Sequence, residues 1–366
     1  MRIFLISFFV FLTACADRLA VPVSEGPVAG GDKQTILVAS LRDSMGTDWF
    51  TGERAETLSF LDVDVAIPPD RDTGQLRLHR HANVDPAKYF TITGRQDYDS
   101  RRAFSRAIQN QMKDVPRDQQ DLVIYVHGYN NSFADGVFRA AQMAHDFDIT
   151  GAMLHFSWPS AANSLGYTYD RDSVLYSRDG LEETLRAAAD ANPRRIILIG
   201  HSLGTMLVME TLRQIEIKSP GWADRTLGGV VLISPDLDVD LFQAQARRFA
   251  ELPQPFVIFV SNKDRALQLS AMINGYRPRL GGLESAEELS EFPLTLIDVS
   301  EFAEGLGPQH FTVGTSPALI KILGAGSELQ SAFDEDRAAR SGLLPGTVIT
   351  AQRATQVILS PLLLTQ

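Results

Sequence analysis

The chain has 366 residues, of which 44% are hydrophobic and 22% charged, a composition typical of a globular protein with a sizeable core. Its net charge of −11 argues against nucleic acid as a partner, because basic patches bind phosphate backbones. Cys15 is the one cysteine, which excludes an internal disulfide and a cysteine-based metal site.

The N-terminus resembles a bacterial lipoprotein signal. An apolar run over residues 3–12 is too short to span a bilayer but suits the core of a signal peptide. It leads into Leu-Thr-Ala-Cys, which resembles a lipobox with cleavage before Cys15 and acylation of its thiol. We expect a signal peptide over residues 1–14 and a lipid anchor to a membrane at Cys15; plain secretion or a retained anchor are the alternatives. By resemblance to Gram-negative lipoprotein sorting rules, Ala16 rather than an aspartate after Cys15 implies the outer membrane, on the periplasmic side of the cell envelope.

The next part of the chain predicts a tether and then a β-rich edge. Residues 15–34 are rich in proline and glycine, which indicates a flexible tether. Alternating or apolar runs then predict strands at 35–40, 58–67, 76–81 and 89–93, joined as hairpins. His79 and His81 would share one face of the third strand. We favour a solvated face there over a metal site, because no third ligand has a supporting spacing.

From residue 100 onward, amphipathic helices alternate with short apolar strands. This alternation predicts a mainly parallel central sheet with helices on both faces. We expect one domain over residues 35–325, followed by a tail, 326–366, with few structural signals. The predicted parallel strands cover residues 121–126, 153–157, 196–199, 229–234, 256–260 and 294–299.

Residues 200–204, Gly-His-Ser-Leu-Gly, lie between a predicted buried strand and a predicted amphipathic helix. This is a G-x-S-x-G pentapeptide in the strand–turn–helix context of a nucleophile elbow. The alternative is a helix-capping serine in the glycine-rich turn of some other α/β protein. Partners of Ser202 further along the chain therefore decide between the two interpretations.

Such partners follow later strands of the predicted sheet. Asp264 and His310 each come after a strand, and His310 is the only histidine after Ser202. The order Ser, Asp, His is the one found in α/β hydrolases. Asp236 or Asp238 is the alternative acid, although either could instead cap the following helix.

These residue types suit acyl transfer. A serine hydroxyl needs a base to take its proton, which His310 can do, while Asp264 would hold the tautomer of the imidazole. Backbone N–H groups of Leu203 and Tyr129 would form the oxyanion hole. The remaining histidines of this region are expected to support turns (His127 and His201) or to lie in the core or on a helix surface (His145 and His155).

Five segments together resemble an uncharacterised bacterial family of α/β hydrolases, over about residues 35–325. The resemblance implies an α/β-hydrolase fold with a serine nucleophile, but it names no substrate. The segments are His-Gly-Tyr-Asn at 127–130, Phe-Ser-Trp-Pro-Ser at 156–160, the pentapeptide at 200–204, Ser-Pro-Asp-Leu-Asp at 234–238 and Ser-Asn-Lys-Asp-Arg-Ala-Leu at 261–267.

We expect a serine hydrolase that acts on a small-molecule carboxylic ester. The segments 158–176 and 276–293 are rich in Trp, Tyr and Leu, and we expect them to form pocket walls that suit an apolar acyl group. An amidase or peptidase with the same triad is one alternative, and a lipid-anchored envelope protein that binds a partner without catalysis is another. No cofactor is expected, because the sequence has neither a phosphate loop nor a dinucleotide fingerprint nor a convincing metal cluster.

Overall fold

The computed structural model describes residues 19–26, 28–44, 46, 49–79, 84–302, 309–324 and 346–359. They form an eleven-stranded sheet with helices on both faces. The strands are β1 (Asp32–Arg42), β2 (Arg54–Ile67), β3 (Thr91–Tyr98), β4 (Asp121–Val126), β5 (Ala152–Ser157), β6 (Arg195–His201), β7 (Gly229–Ile233), β8 (Phe256–Val260), β9 (Leu294–Asp298), β10 (Gly346–Ala351) and β11 (Ala354–Leu359). The helices are α1 (Arg101–Met112), α2 (Phe133–Asp146), α3 (Tyr167–Tyr176), α4 (Arg178–Asp190), α5 (Gly204–Lys218), α6 (Trp222–Thr226), α7 (Val239–Ala246), α8 (Arg265–Ile273), α9 (Thr312–Thr315) and α10 (Pro317–Gly324).

The strand order in the sheet is β10-β11-β9-β8-β7-β6-β4-β5-β1-β2-β3. The strands from β11 to β1 in this order run parallel, whereas β2 and β3 form an antiparallel edge and β10 pairs antiparallel with β11. The predicted α/β class, with a mainly parallel sheet and a β-rich N-terminal edge, is therefore confirmed.

Each face of the sheet has its own apolar core, because side chains along a strand alternate between faces. In β4, Leu122 and Ile124 pack in one core, and Val123 and Tyr125 in the other. The first core is covered by α1, α4, α5 and α7, and the second by α2, α9 and α10. Burial on both faces explains why the parallel strands are short, continuous apolar runs.

Three expectations from the sequence differ from the structure. Residues 75–79 form no strand, although Leu76 and Leu78 pack against the second core. The predicted tether is too long, because Ser24 N–H donates to Ile92 O at 3.0 Å and β1 already begins at Asp32. The boundary at 325 is too early, because β11 pairs in parallel with β9. Local hydrophobic patterns indicate which side chains are buried. Whether a segment pairs as a strand depends instead on backbone groups that lie far away in the sequence.

Several predicted features fall wholly or partly outside the described residues. They include the signal peptide at 1–14, the lipidation site Cys15, His81, and residues 326–345 and 360–366 of the tail. Within the described part of the chain, no helix has the length and apolar character needed to cross a membrane.

Candidate active site

Ser202 lies in a tight turn between β6 and α5. Its backbone φ is 53°, in the left-handed region that non-glycine residues rarely occupy, and its side chain is buried. Gly204 makes the turn possible, because a Cβ atom there would lie 2.3 Å from the carbonyl oxygen of His127. The turn thus has the strained strand-to-helix geometry of a nucleophile elbow.

His310 connects the serine to an aspartate. The hydroxyl of Ser202 donates to His310 Nε2 at 2.6 Å, and His310 Nδ1–H donates to Asp264 Oδ2 at 2.7 Å. Asp264 is fully buried, whereas the His310 side chain keeps about a fifth of its surface exposed. The structure therefore brings together the three side chains that the sequence singled out. In this arrangement Nε2 is the ring nitrogen that can accept the serine proton.

Asp264 also begins helix α8. Its Oδ1 accepts the backbone N–H groups of Ala266 at 3.0 Å and Leu267 at 3.2 Å, as an N-cap residue does. One carboxylate oxygen is thus used for the helix and the other for the histidine. These bonds fix the rotamer of Asp264 and so the direction of the hydrogen bond to His310.

The two predicted oxyanion donors flank the serine. Leu203 is the next residue, directly before the first turn of α5. Tyr129 follows Gly128, where a Cβ atom would lie only 2.7 Å from Ser202 Cβ. A glycine is therefore needed at position 128 to bring the loop after β4 against the elbow.

This loop is held by two buried charged residues that sequence reasoning missed. Asp170 accepts the N–H of Asn130 at 3.0 Å, the hydroxyl of Ser160 at 2.6 Å and the N–H of Ala161 at 2.7 Å. Burial raises the pKa of Asp170 against the effect of these hydrogen bonds and of Arg42. Asp170 thereby ties the loop after β4 to the loop after β5.

Arg42, at the end of β1, makes a matching set of contacts. Its guanidinium is fully buried and donates to the carbonyl oxygens of Thr51 at 3.1 Å, Ser160 at 2.9 Å and Asn131 at 2.8 Å, and to Ser157 Oγ at 2.9 Å. Burial lowers its pKa to about 10. In the sequence, the only sign of this role was the position of a charged residue just after a predicted strand.

The other predicted histidines are built into the scaffold. His127 is buried and stacks on Trp158 at 4.7 Å with an interplanar angle of 12°. His201 Nε2–H donates to the carbonyl oxygen of His310 at 3.0 Å, and so holds the turn that carries His310. Burial lowers the pKa of both His127 and His201 well below the ordinary value, which keeps them neutral. His155 is fully buried, whereas His145 lies partly exposed near the end of α2.

The carboxylates of the two alternative acids have partners other than His310 among the described residues. Asp236 is buried beside Arg279, 3.3 Å from its Nε, and accepts the hydroxyls of Ser270 at 2.6 Å and Tyr167 at 2.9 Å. Asp238 caps α7 by accepting the N–H of Leu241 at 3.2 Å. The geometry therefore favours Asp264 as the acid.

Of the aromatic side chains expected to form a pocket wall in the segment 158–176, only some lie at the surface near the elbow. Trp158 is fully buried and its indole N–H donates to the carbonyl oxygen of His127 at 2.7 Å, so it belongs to the core. Most of the expected loop is helix α3. At the start of α3, Tyr167 contacts the ring of Tyr129 edge to face at 5.4 Å, next to the elbow. His79, considered with His81 as a metal ligand in the sequence analysis, contacts the ring of Tyr89, with 4.8 Å between the ring centroids.

Comparison with known proteins gives one family. Residues 100–326 match the model of a family described as alpha/beta hydrolase of unknown function (DUF900). This range contains β4 to β9 and the side chains of Ser202, Asp264 and His310, whereas Arg42 lies outside it. No curated protein shows a significant match.

Proposed function

We propose that this chain, which belongs to the family of α/β hydrolases of unknown function, is a serine hydrolase that cleaves carboxylic esters. The observation that carries the proposal is the pair of hydrogen bonds from Ser202 through His310 to Asp264, 2.6 and 2.7 Å long. The strained backbone of Ser202 adds support, because such an elbow presents the hydroxyl at the carboxyl ends of the strands.

The reaction would begin with attack of Ser202 Oγ on the ester carbonyl carbon while His310 Nε2 takes the hydroxyl proton. The C–O π pair moves to the carbonyl oxygen, and the N–H groups of Leu203 and Tyr129 would stabilise that oxyanion. As the oxyanion collapses, the ester C–O bond breaks and His310 gives the proton to the leaving alcohol. A water molecule, deprotonated by His310, then attacks the acyl-enzyme by the same route and releases the acid.

The aromatic pair Tyr129 and Tyr167 lies beside the elbow and offers an apolar contact, so we expect the ester to carry an apolar acyl group. The test is labelling with a fluorophosphonate probe, followed by turnover of short p-nitrophenyl esters. Ser202 should be the labelled residue, and Ser202→Ala should lower turnover by at least about 10³-fold.

Ser234→Ala is the matched control, because Ser234 also has a positive φ of 45° after a parallel strand but takes part in no such hydrogen-bond chain with the residues that the structure describes. Labelling at Ser234, or no labelling of folded protein, would refute the proposal. Cleavage of peptides without cleavage of esters would show an amidase or peptidase instead.

We also propose that the chain is a lipoprotein of the bacterial envelope, attached through Cys15. The support is the sequence of residues 1–15. Cys15→Ser should move the protein from the membrane fraction to the soluble fraction, and metabolic labelling with a palmitate analogue should disappear. Unchanged fractionation and labelling would contradict the anchor.

A further inference from the structure

Helix α8 turns its apolar side outward. Leu269, Met272 and Ile273 are 57%, 54% and 60% exposed, whereas the helix buries only Leu267 and Ser270. The spacing of the three exposed residues places them on one face of the helix. A surface helix of a globular protein normally buries this face, so the reversal indicates a surface that meets an apolar partner.

Two further exposed apolar residues lie on chain segments next to α8. Tyr276, after the end of α8, is 76% exposed, and Leu165, just before α3, is 92% exposed. Side-chain hydrogen bonds hold the two segments together, between Tyr167 and Ser270 at 3.0 Å and from Arg171 to Asn274 at 2.7 Å. We call Leu165, Leu269, Met272, Ile273 and Tyr276 the α8 patch.

The α8 patch lies at the candidate active site. The N-cap of α8 is Asp264, and the helix packs against the turn Gln309–Phe311, which carries His310. On the other side, the hydroxyl of Tyr129 donates to the carbonyl oxygen of Ser164 at 2.6 Å, next to Leu165. The patch therefore borders the elements that hold the catalytic geometry.

Cations accompany this apolar surface although the chain as a whole carries a net charge of −11. Lys263 and Arg265 precede the exposed face of α8, and Arg277 follows it. All three are exposed, and among the described residues none of them has a carboxylate within ion-pair distance. Apolar anchors beside unpaired cations suit a surface whose outer layer is anionic and whose interior is hydrocarbon.

We propose that the α8 patch docks the enzyme on a lipid bilayer that contains anionic headgroups. Leu269, Met272, Ile273 and Tyr276 enter the boundary between headgroups and acyl chains, while Lys263, Arg265 and Arg277 contact lipid phosphates. Docking in this orientation turns the elements around Ser202 towards the bilayer. The proposal concerns the surface and does not depend on which bond Ser202 attacks.

The test places a fluorescent label on the patch in the full chain. Because Cys15 is the only cysteine, Cys15→Ser combined with Ile273→Cys gives one labelling site for a polarity-sensitive dye. On vesicles of phosphatidylcholine and phosphatidylglycerol, the emission should shift to shorter wavelength and be quenched by lipids brominated on the acyl chains. Arg277→Gln in the same background should raise the vesicle concentration at half-shift by about fivefold.

Asp118→Cys is the matched control, because Asp118 is exposed and lies three residues before the start of β4, at the end of the parallel strands away from Ser202. Its label should stay in water. If vesicles bind the protein but neither label shifts, the N-terminus alone makes the contact and the proposal is wrong. A shift of the Ile273→Cys label without vesicles, growing with protein concentration, would show that a second copy covers the patch. Equal shifts on vesicles of phosphatidylcholine alone would overturn the role of the cations.

Discussion

The double use of Asp264 allows its two roles to be separated by substitution. Asp264→Asn keeps one oxygen, which can still cap α8, because asparagine is as good an N-cap as aspartate. The new amide group then faces His310 Nδ1 as a donor, so the ring must carry its proton on Nε2. In that tautomer His310 cannot accept the proton of Ser202.

The size of each effect follows from these contacts. In Asp264→Asn, turnover of a p-nitrophenyl ester should fall by about 10⁴-fold, the usual result of holding a triad histidine in the wrong tautomer. Its free energy of unfolding should change by less than about 0.5 kcal/mol. Asp264→Ala loses the same catalysis and also the cap, which costs about 1 kcal/mol of stability.

The measurements are steady-state turnover and urea unfolding of the same preparations. Asp238→Asn is the control, because Asp238 also caps a helix, α7, and undergoes the same change of charge, but has no histidine partner in the described part of the chain. It should leave both turnover and stability close to those of the parent chain. If Asp264→Asn kept a tenth or more of the turnover, or if Asp236→Asn lost as much, Asp264 would not be the triad acid.

Two further predictions concern stability. The hydrogen bond of His145 to Asp146, helped by a second one to Asp32, raises the pKa of His145 above its ordinary value of 6.5. Its contribution to stability should therefore be complete below pH 6.5 and lost as the pH rises through the folded-state pKa. Between about pH 6 and about pH 8, the urea midpoint of His145→Gln should fall less than that of the parent chain. An equal fall would contradict this reasoning. Gly204→Ala places a methyl group 2.3 Å from a backbone carbonyl oxygen. It should lower the free energy of unfolding by about 2 kcal/mol and slow fluorophosphonate labelling. Gly282→Ala, whose added methyl group would have nothing within 4 Å, should change neither, and similar unfolding curves for both variants would show that the elbow is not tightly packed.

The sequence was sufficient to predict the placement of Ser202, Asp264 and His310 for a simple physical reason. Each follows a strand of a parallel sheet, and the carboxyl ends of such strands meet at one edge. Strand identity and chain order therefore determine which loops meet, without any knowledge of side-chain contacts. The choice between Asp264 and Asp236 needed coordinates, because both follow adjacent strands and differ only in which partner each carboxylate reaches.

The features that escaped prediction depend on contacts between distant parts of the chain. Arg42 is buried because carbonyl oxygens of three separate loops point at its guanidinium, and no local pattern records that convergence. The hairpin of β10 and β11 turns at Gln352, whose φ is 51°, followed by Arg353. It lacks the Asn-Gly or Asp-Gly pair that marks such turns in a sequence.

That hairpin has a practical meaning for anyone who produces this protein. Residues 100–326 match the family, which invites a shorter recombinant chain that stops there. In the full chain, β11 pairs with β9 from Leu294 to Asp298 and so covers the backbone groups along one side of that strand. Without the hairpin, β9 would replace β10 as the edge strand of the sheet, and a strand of another molecule could add to its backbone groups. The last strands also complete the second core, to which Val357 and Leu359 belong, so expression trials should retain them.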